Sequence, residues 1–368
     1  MKKLITILCS LLVFGCYGLH DRHGNQGPEV TRVEISQIVT TMRSATDGSE
    51  IGLVWAFRDG SERSCAMAIF SPDGELMYGP YSFPSDSVGP FIFWTGDAYL
   101  LFWMERGEVN RLQMKRFLAG ETWYSADSET VVESEGLALV SDIKLFGTDM
   151  VIVPRYDPEE ANPFSIAKVM NYQTLETEVS IVLGQPEELV FGEALIAKSE
   201  TGYAFVMSQL ESDVSGSLYF QDFNASTYEV SGVEALDFGT PKGPLQFWQE
   251  DGAFKLLYRE FGVEIAEVQS VSLDGSGALL SDPSTFGSNA AVGKSISMAL
   301  SDSQAVFHWL EDIGDSQTLF VTSGSNVISE IEPEYEVGAT AMVSLASRHI
   351  AIWSDADQPF LNFLSIPR

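Results

Sequence analysis

Basic residues are scarce in this chain. Its 368 residues include 21 Lys and Arg against 52 Asp and Glu, a formal net charge of −31. A surface of that sign repels phosphate backbones and anionic lipid, which excludes nucleic acid and bare membrane surfaces as direct partners. Basic proteins, divalent cations and plain solubility are what such a charge serves. Cysteine is scarcer still, with only Cys9, Cys16 and Cys65. Histidine is limited to 4 residues, and His308 and His349 stand in apolar runs, where a core imidazole with one hydrogen bond is expected rather than a general base. No Walker loop, HExxH, GxSxG or EF-hand loop occurs, so the familiar catalytic templates are missing. A glycosidase built on two carboxylates leaves no local trace in sequence and stays open. Helical periodicity is also wanting: from Val30 onward short β-type runs alternate with turn residues, and hardly a stretch keeps a 3.6-residue apolar period.

The one long apolar run, Leu4 to Phe14, is too short to span a bilayer as a permanent helix. Preceded by Lys2 and Lys3 and followed by Gly15, it has the layout of a secretory signal. The segment LVFGC at 12–16 resembles the bacterial lipoprotein signal. That resemblance implies cleavage before Cys16, lipid attachment to it, and, because Tyr17 rather than an Asp follows, delivery to the outer membrane. Residues 1–15 are then the signal peptide, 16–29 a lipidated Cys with a flexible tether, and 30–368 the folded body. His20 and His23 flank Asp21 in the tether and read as solvated linker, since metal sites need three or four ligands on a folded frame. Cys65 is left without a partner in the mature chain, so no internal disulfide is expected. It lies in CAMAIF, an alternating strand pattern, as a small buried hydrophobe.

The body is organised around an echo. FWTGDAYLLFWMERG, Phe93 to Gly107, returns with one inserted residue as FWQEDGAFKLLYREFG, Phe247 to Gly262. Apolar runs that tend to end in an aromatic recur at Trp55, Trp103, Val153, Met207, Tyr258, Trp309 and Trp353, between 44 and 54 residues apart. Such a period belongs to radial or stacked repeat architectures. Each repeat reads as four strands. In the second they are Pro90 to Trp94, Tyr99 to Trp103, Val109 to Phe117, and a fourth beginning around Trp123. The second strand is nearly continuously apolar and the third alternates, as expected when sheets pack face to face and only the outer strands meet water. This predicts an all-β fold, a β-propeller of seven four-stranded blades, with repeats at 36–86, 87–136, 137–188, 189–238, 239–286, 287–337 and 338–368. The last has room for three strands, and the alternating Thr31 to Ile35 supplies its fourth, closing the ring. Kelch, WD40 and sialidase signatures are all missing, so the resemblance is to bacterial lipoprotein propellers in general.

Acids collect between second and third strands: Asp59 and Glu62, Glu105 and Glu108, Asp157 with Glu159 and Glu160, Glu211 and Asp213, Glu260, Glu311 with Asp312 and Asp315, and Asp355 with Asp357. All these loops are expected on one face, as a carboxylate ring for a basic protein, with Ca2+ the ion it would take; no other cofactor is implied. Glu330, Glu332, Glu334 and Glu336 alternate with Ile331, Pro333, Tyr335 and Val337, predicting an exposed outer strand guarded by charge and Pro333. Arg106, Arg111, Lys115 and Arg116 form a basic knot expected to pair with nearby acids. Together these features point to a monomeric, non-enzymatic envelope lipoprotein, a platform for an envelope protein or glycan. The alternatives are a carbohydrate-active propeller enzyme, hydrolase or lyase, using the loop acids, and an outer-membrane assembly scaffold.

Overall fold

Turn residues between the β-type runs cut the chain into short strands that pair with their sequence neighbours. The computed structural model describes residues 30–368 except 60–61, 85, 119–126, 159–162, 185–190, 210–216, 237–241, 262–265, 288–295, 302–303, 314–315 and 324–325. After β1 (Val30–Glu34), blade 1 comprises β2 (Val39–Thr46), β3 (Ile51–Asp59), β4 (Glu62–Phe70) and β5 (Leu76–Ser82). Blade 2 is β6 (Ser87–Trp94), β7 (Tyr99–Glu105), β8 (Asn110–Phe117) and β9 (Glu129–Ser134). Blade 3 is β10 (Leu137–Phe146), β11 (Asp149–Tyr156), β12 (Phe164–Asn171) and β13 (Thr177–Leu183). In blade 4, β14 (Phe191–Lys198), β15 (Gly202–Gln209) and β16 (Leu218–Asn224) are followed by a divided outer strand, β17 (Glu229–Val230) and β18 (Glu234–Leu236), both paired to β16. Blade 5 holds β19 (Lys242–Glu250), β20 (Ala253–Phe261), β21 (Ala266–Leu273) and β22 (Ser284–Gly287). Blade 6 holds β23 (Ser297–Ser301), β24 (Gln304–Ile313), β25 (Ser316–Ser323) and β26 (Asn326–Ile331). Blade 7 takes β27 (Val337–Ser344), β28 (Arg348–Asp355) and β29 (Phe360–Pro367).

The first strand of each blade is innermost: β2 adjoins β27 and β6, and β14 adjoins β10 and β19. Closure follows the expected route. Strand β1 pairs antiparallel with β29, from Val30 opposite Leu364 to Glu34 opposite Phe360, and completes blade 7. The repeat boundaries read from sequence each fall within a residue of a connection between sheets. No helix occurs among the described residues.

The core lies between blades rather than within any one of them, because each sheet has two faces to cover. Second strands are therefore buried almost throughout, as in YLLFWM of β7 and GYAFVMS of β15. The recurring aromatic packs back on the preceding blade: Trp103 meets Phe83 with ring centroids 4.7 Å apart, and Trp309 meets Phe286 at 4.8 Å. Val153 is the exception, joining the cluster shared with blade 4 ahead of it. Cys65 is fully buried, and burial pushes its thiol up to about 12.

Two expectations need correction. Alternation in β8 predicted a wet face, yet Gln113 and Lys115 are buried, since both faces of a blade are covered by neighbours and its polar face is no exception. Glu330 to Glu336 is not one strand. Strand β26 ends at Ile331, and Pro333, with no N–H to give a ladder, lies in the connection that carries the chain to β27. All four of these glutamates are exposed. The fourth strand of blade 2 is Glu129–Ser134, while Trp123 lies outside the described residues, as do Cys16, His20 and His23.

Both strand histidines are core residues. His349 Nδ1 lies 2.8 Å from Ser344 Oγ. His308, fully buried between blades 6 and 7, has Nδ1 3.4 Å from Ala341 O of the next blade and no partner for Nε2. Burial lowers it to about 4 from an ordinary 6.5. The unfolded chain therefore takes up this proton first as pH falls, so stability is lost from about pH 6.5 downward and levels off below about pH 4. The expected loss is about 3 kcal/mol by pH 4. Urea unfolding at pH 7.5 and pH 4 checks it: His308→Leu should lose about 3 kcal/mol less than the parent over that interval, and equal losses would remove the histidine from the account.

Candidate functional site

Antiparallel order within every blade brings the loops between second and third strands out at one end of the ring, where the chain also crosses from blade to blade. Of the acids predicted for that face, those among the described residues lie at this end, and several of them are already engaged in hydrogen bonds. Glu105 accepts from Trp103 Nε1 at 3.1 Å and from Gln113 Nε2 at 3.3 Å. Glu311, buried, accepts from Trp309 Nε1 at 3.2 Å. A spacing of two puts Trp and Glu on one strand face, so Trp-x-Glu is a legible signal that the acid closes an indole hydrogen bond. Asp157 is held by Arg155, with Nε 2.9 Å and Nη2 3.2 Å from its two oxygens. Asp312 accepts from Gln317 at 3.0 Å. Asp59 and Glu62 pair in backbone register at the end of the β3–β4 hairpin, as Glu260 does with Lys242. Glu108 and Asp357 are exposed. Glu159, Glu160, Glu211, Asp213 and Asp315 lie outside the described residues. Among the described residues no three His, Cys, Asp or Glu side chains gather to hold a metal ion.

What the structure builds on this face instead is a groove of about 390 Å³ at the closing seam, between blades 6 and 7. Its walls come from β1, from the Ile331–Tyr335 connection and from Trp353. Arg32, which sequence reading passed over, organises it. Its guanidinium lies 4.5 Å from the Tyr335 ring centroid and 4.0 Å from that of Phe360. It donates to Asp355 Oδ2 at 2.7 Å and Gln358 Oε1 at 3.2 Å, with Glu334 3.8 Å away. Asn362 Nδ2 donates to the other oxygen of Asp355 at 2.9 Å. Asp355 is 2% exposed, and burial holds its carboxyl above the usual range although Asn362 and Arg32 pull it down. The seam thus neutralises its own buried charge and leaves Glu332 and Glu334 exposed on the rim.

The basic knot of blade 2 is spent much as expected. Arg111 Nε is 3.2 Å from Glu133, and Arg116 donates to Asp97 at 2.6 Å. Arg106 is exposed in the β7–β8 turn. Burial lowers the Lys115 ammonium despite the pull of Asp127.

The chain is a seven-bladed β-propeller closed by its own N-terminal strand. No protein-family model matches it, and no curated protein sequence does. Solved structures share its fold at low identity. Kuenenia stuttgartiensis hydrazine synthase matches at 9% identity and TM-score 0.56, over 95% of this chain and 99% of that one. The propeller domain of the Trilobed protease from Pyrococcus furiosus matches at 11% and 0.53, over 89% and 95%. A polysaccharide lyase, an ulvan lyase bound to its glycan, matches at 9% and 0.52, over 88% and 91%. The Trilobed propeller is described as having an open velcro topology, whereas here β1 is hydrogen-bonded to β29. Likeness at this identity establishes the fold alone.

Proposed function

We propose that this propeller is a non-enzymatic binding platform of the cell envelope, anchored in the outer membrane by a lipid on Cys16, and that its acidic face takes a basic segment of an envelope protein. The observation that carries the reading is the groove at the seam of blades 6 and 7. Its apolar wall of Val30, Ile331 and Trp353 suits the stem of a Lys or Arg, and the carboxylates of Glu332 and Glu334 suit its head. Because Arg32 and Asp355 already satisfy each other, a cationic guest meets acid rather than a buried positive charge. The charge of the whole chain, −31, adds long-range attraction.

A photo-crosslinking residue in place of Glu332, in cells, tests this. One dominant protein adduct is expected, lost with Glu334→Lys or at high salt, and retained on the membrane unless Cys16 is changed to Ala. A crosslinking pattern identical to that from Leu280, exposed on the opposite face, would refute the acidic-face assignment.

A further inference from the structure

The echo between blades 2 and 5 is where the molecule departs from its own repeat. In blade 2, Trp94 stands opposite Tyr99 and packs with Trp103 toward blade 1. In blade 5 the residue inserted into the echo, Gly252 in the turn at φ +77°, shifts the register. Trp248 now stands opposite Lys255, on the other sheet face, toward blade 6. A one-residue change flips every side chain on that side of a hairpin.

The face that receives Trp248 has also been changed. Lys255 occupies the position of Leu100, which in blade 2 is buried against blade 3. Ser270, opposite Leu257, occupies that of Met114, opposite Phe102 and also buried. Two large apolar side chains that fill one seam are thus replaced in another by a lysine and a serine. The result is a cleft of about 670 Å³ between blades 5 and 6, the size of a small-ligand site. The turn at Gly252 and the loop between β21 and β22 place it on the face opposite the seam groove. Glu250, Asp251, Ser272, Ser284, Thr285 and Gln304 complete its polar lining. Lys255 Nζ is 2.8 Å from Ser272 Oγ, and Glu250 Oε1 accepts from Ala305 N at 3.3 Å. Trp248, only 7% exposed, lines the cleft with its Nε1–H unpartnered. The Nε1 itself is sealed from solvent, so what Trp248 offers the cleft is apolar ring surface.

We propose that this cleft is a binding site for a neutral saccharide. Closely spaced hydroxyl, amide, ammonium and carboxylate groups beside an indole match a ligand that presents alternating donors and acceptors on an apolar ring face. Lys255 stands against two carboxylates, Glu250 and Asp251, a balance that disfavours an acidic sugar. The site is independent of the acidic-face reading, and either can fail alone.

Calorimetric titration of the full mature chain with cellobiose, maltose, lactose, N,N′-diacetylchitobiose and glucuronate tests the assignment. At least one neutral disaccharide should bind in the millimolar range or tighter, with Trp248→Phe weakening it tenfold or more. Lys255→Leu with Ser270→Met, which restores the blade 2 residues, should abolish binding while keeping the melting temperature at or above the parent's. Silence across the neutral sugars, binding of glucuronate alone, or unchanged affinity in the refilled cleft would each overturn the proposal.

Discussion

Deleting residues 30–35 will prevent the ring from closing and cost the chain most of its stability. The segment removed, β1 with Ile35, carries Val30, Val33 and Ile35, each under a tenth exposed, and burial of such side chains is worth about 1.5–3 kcal/mol apiece. It also carries Arg32, whose loss takes from Asp355, 2% exposed, its charged hydrogen-bond donor, at a cost of about 1.5–3 kcal/mol. The hydrogen-bonding edge of β29 is bared as well. Together these losses rival the whole stability of an ordinary domain, about 5–15 kcal/mol. Urea unfolding followed by tryptophan fluorescence should show no cooperative transition for the deleted chain, or one at far lower urea. A midpoint close to the parent's would mean that the ring is held by its other seams and that β1 is an accessory. Val33→Ala provides the graded comparison, expected to keep the fold at a cost of about 1–3 kcal/mol.

Gly202→Ala is the second large effect expected, and the cause is backbone rather than conformation. A Cβ on Gly202 would overlap Phe223 O of the paired strand and sit 2.8 Å from Ala225 N just beyond it, both main-chain atoms. No side chain there can turn aside, so the β15–β16 ladder itself must open at its first rung, where Gly202 faces Asn224. The adjoining residues Tyr203 and Phe223 stack in the core between blades 3 and 4, so the displacement reaches packed side chains. A loss of about 3 kcal/mol or more is expected from denaturant unfolding. Gly107→Ala is the control: its Cβ would meet nothing nearer than Val109 O at 3.7 Å, and the change should stay within about 0.5 kcal/mol. Equal effects at the two glycines would remove the steric explanation.

The fold was legible because a propeller writes the same strand pattern many times. Alternation and apolar runs report which face of each strand is covered, and the shortfall of one strand at Phe360–Pro367 was matched by Val30–Glu34. The acidic face was legible only as an address. Composition counts carboxylates and cannot say that Glu105 and Glu311 answer indole N–H groups two residues back, although the Trp-x-Glu spacing contained that information. Arg32 gave no sign, because its partner Asp355 is distant in sequence and adjacent only when the ring closes. The inserted Gly252 was visible as an irregularity in the echo, but its consequence, Trp248 turned into another seam, needs two sheets to be seen at once.

By itself the sequence determined the repeat, the number of blades, the strand that closes them and the sign of the surface, since each follows from local periodicity or from composition. Only the tertiary structure decided which charges are spent, which indole is left without an acceptor, and which seams are filled or hollow. Those properties belong to contacts between blades, and a face between blades is made by residues tens to hundreds of positions apart.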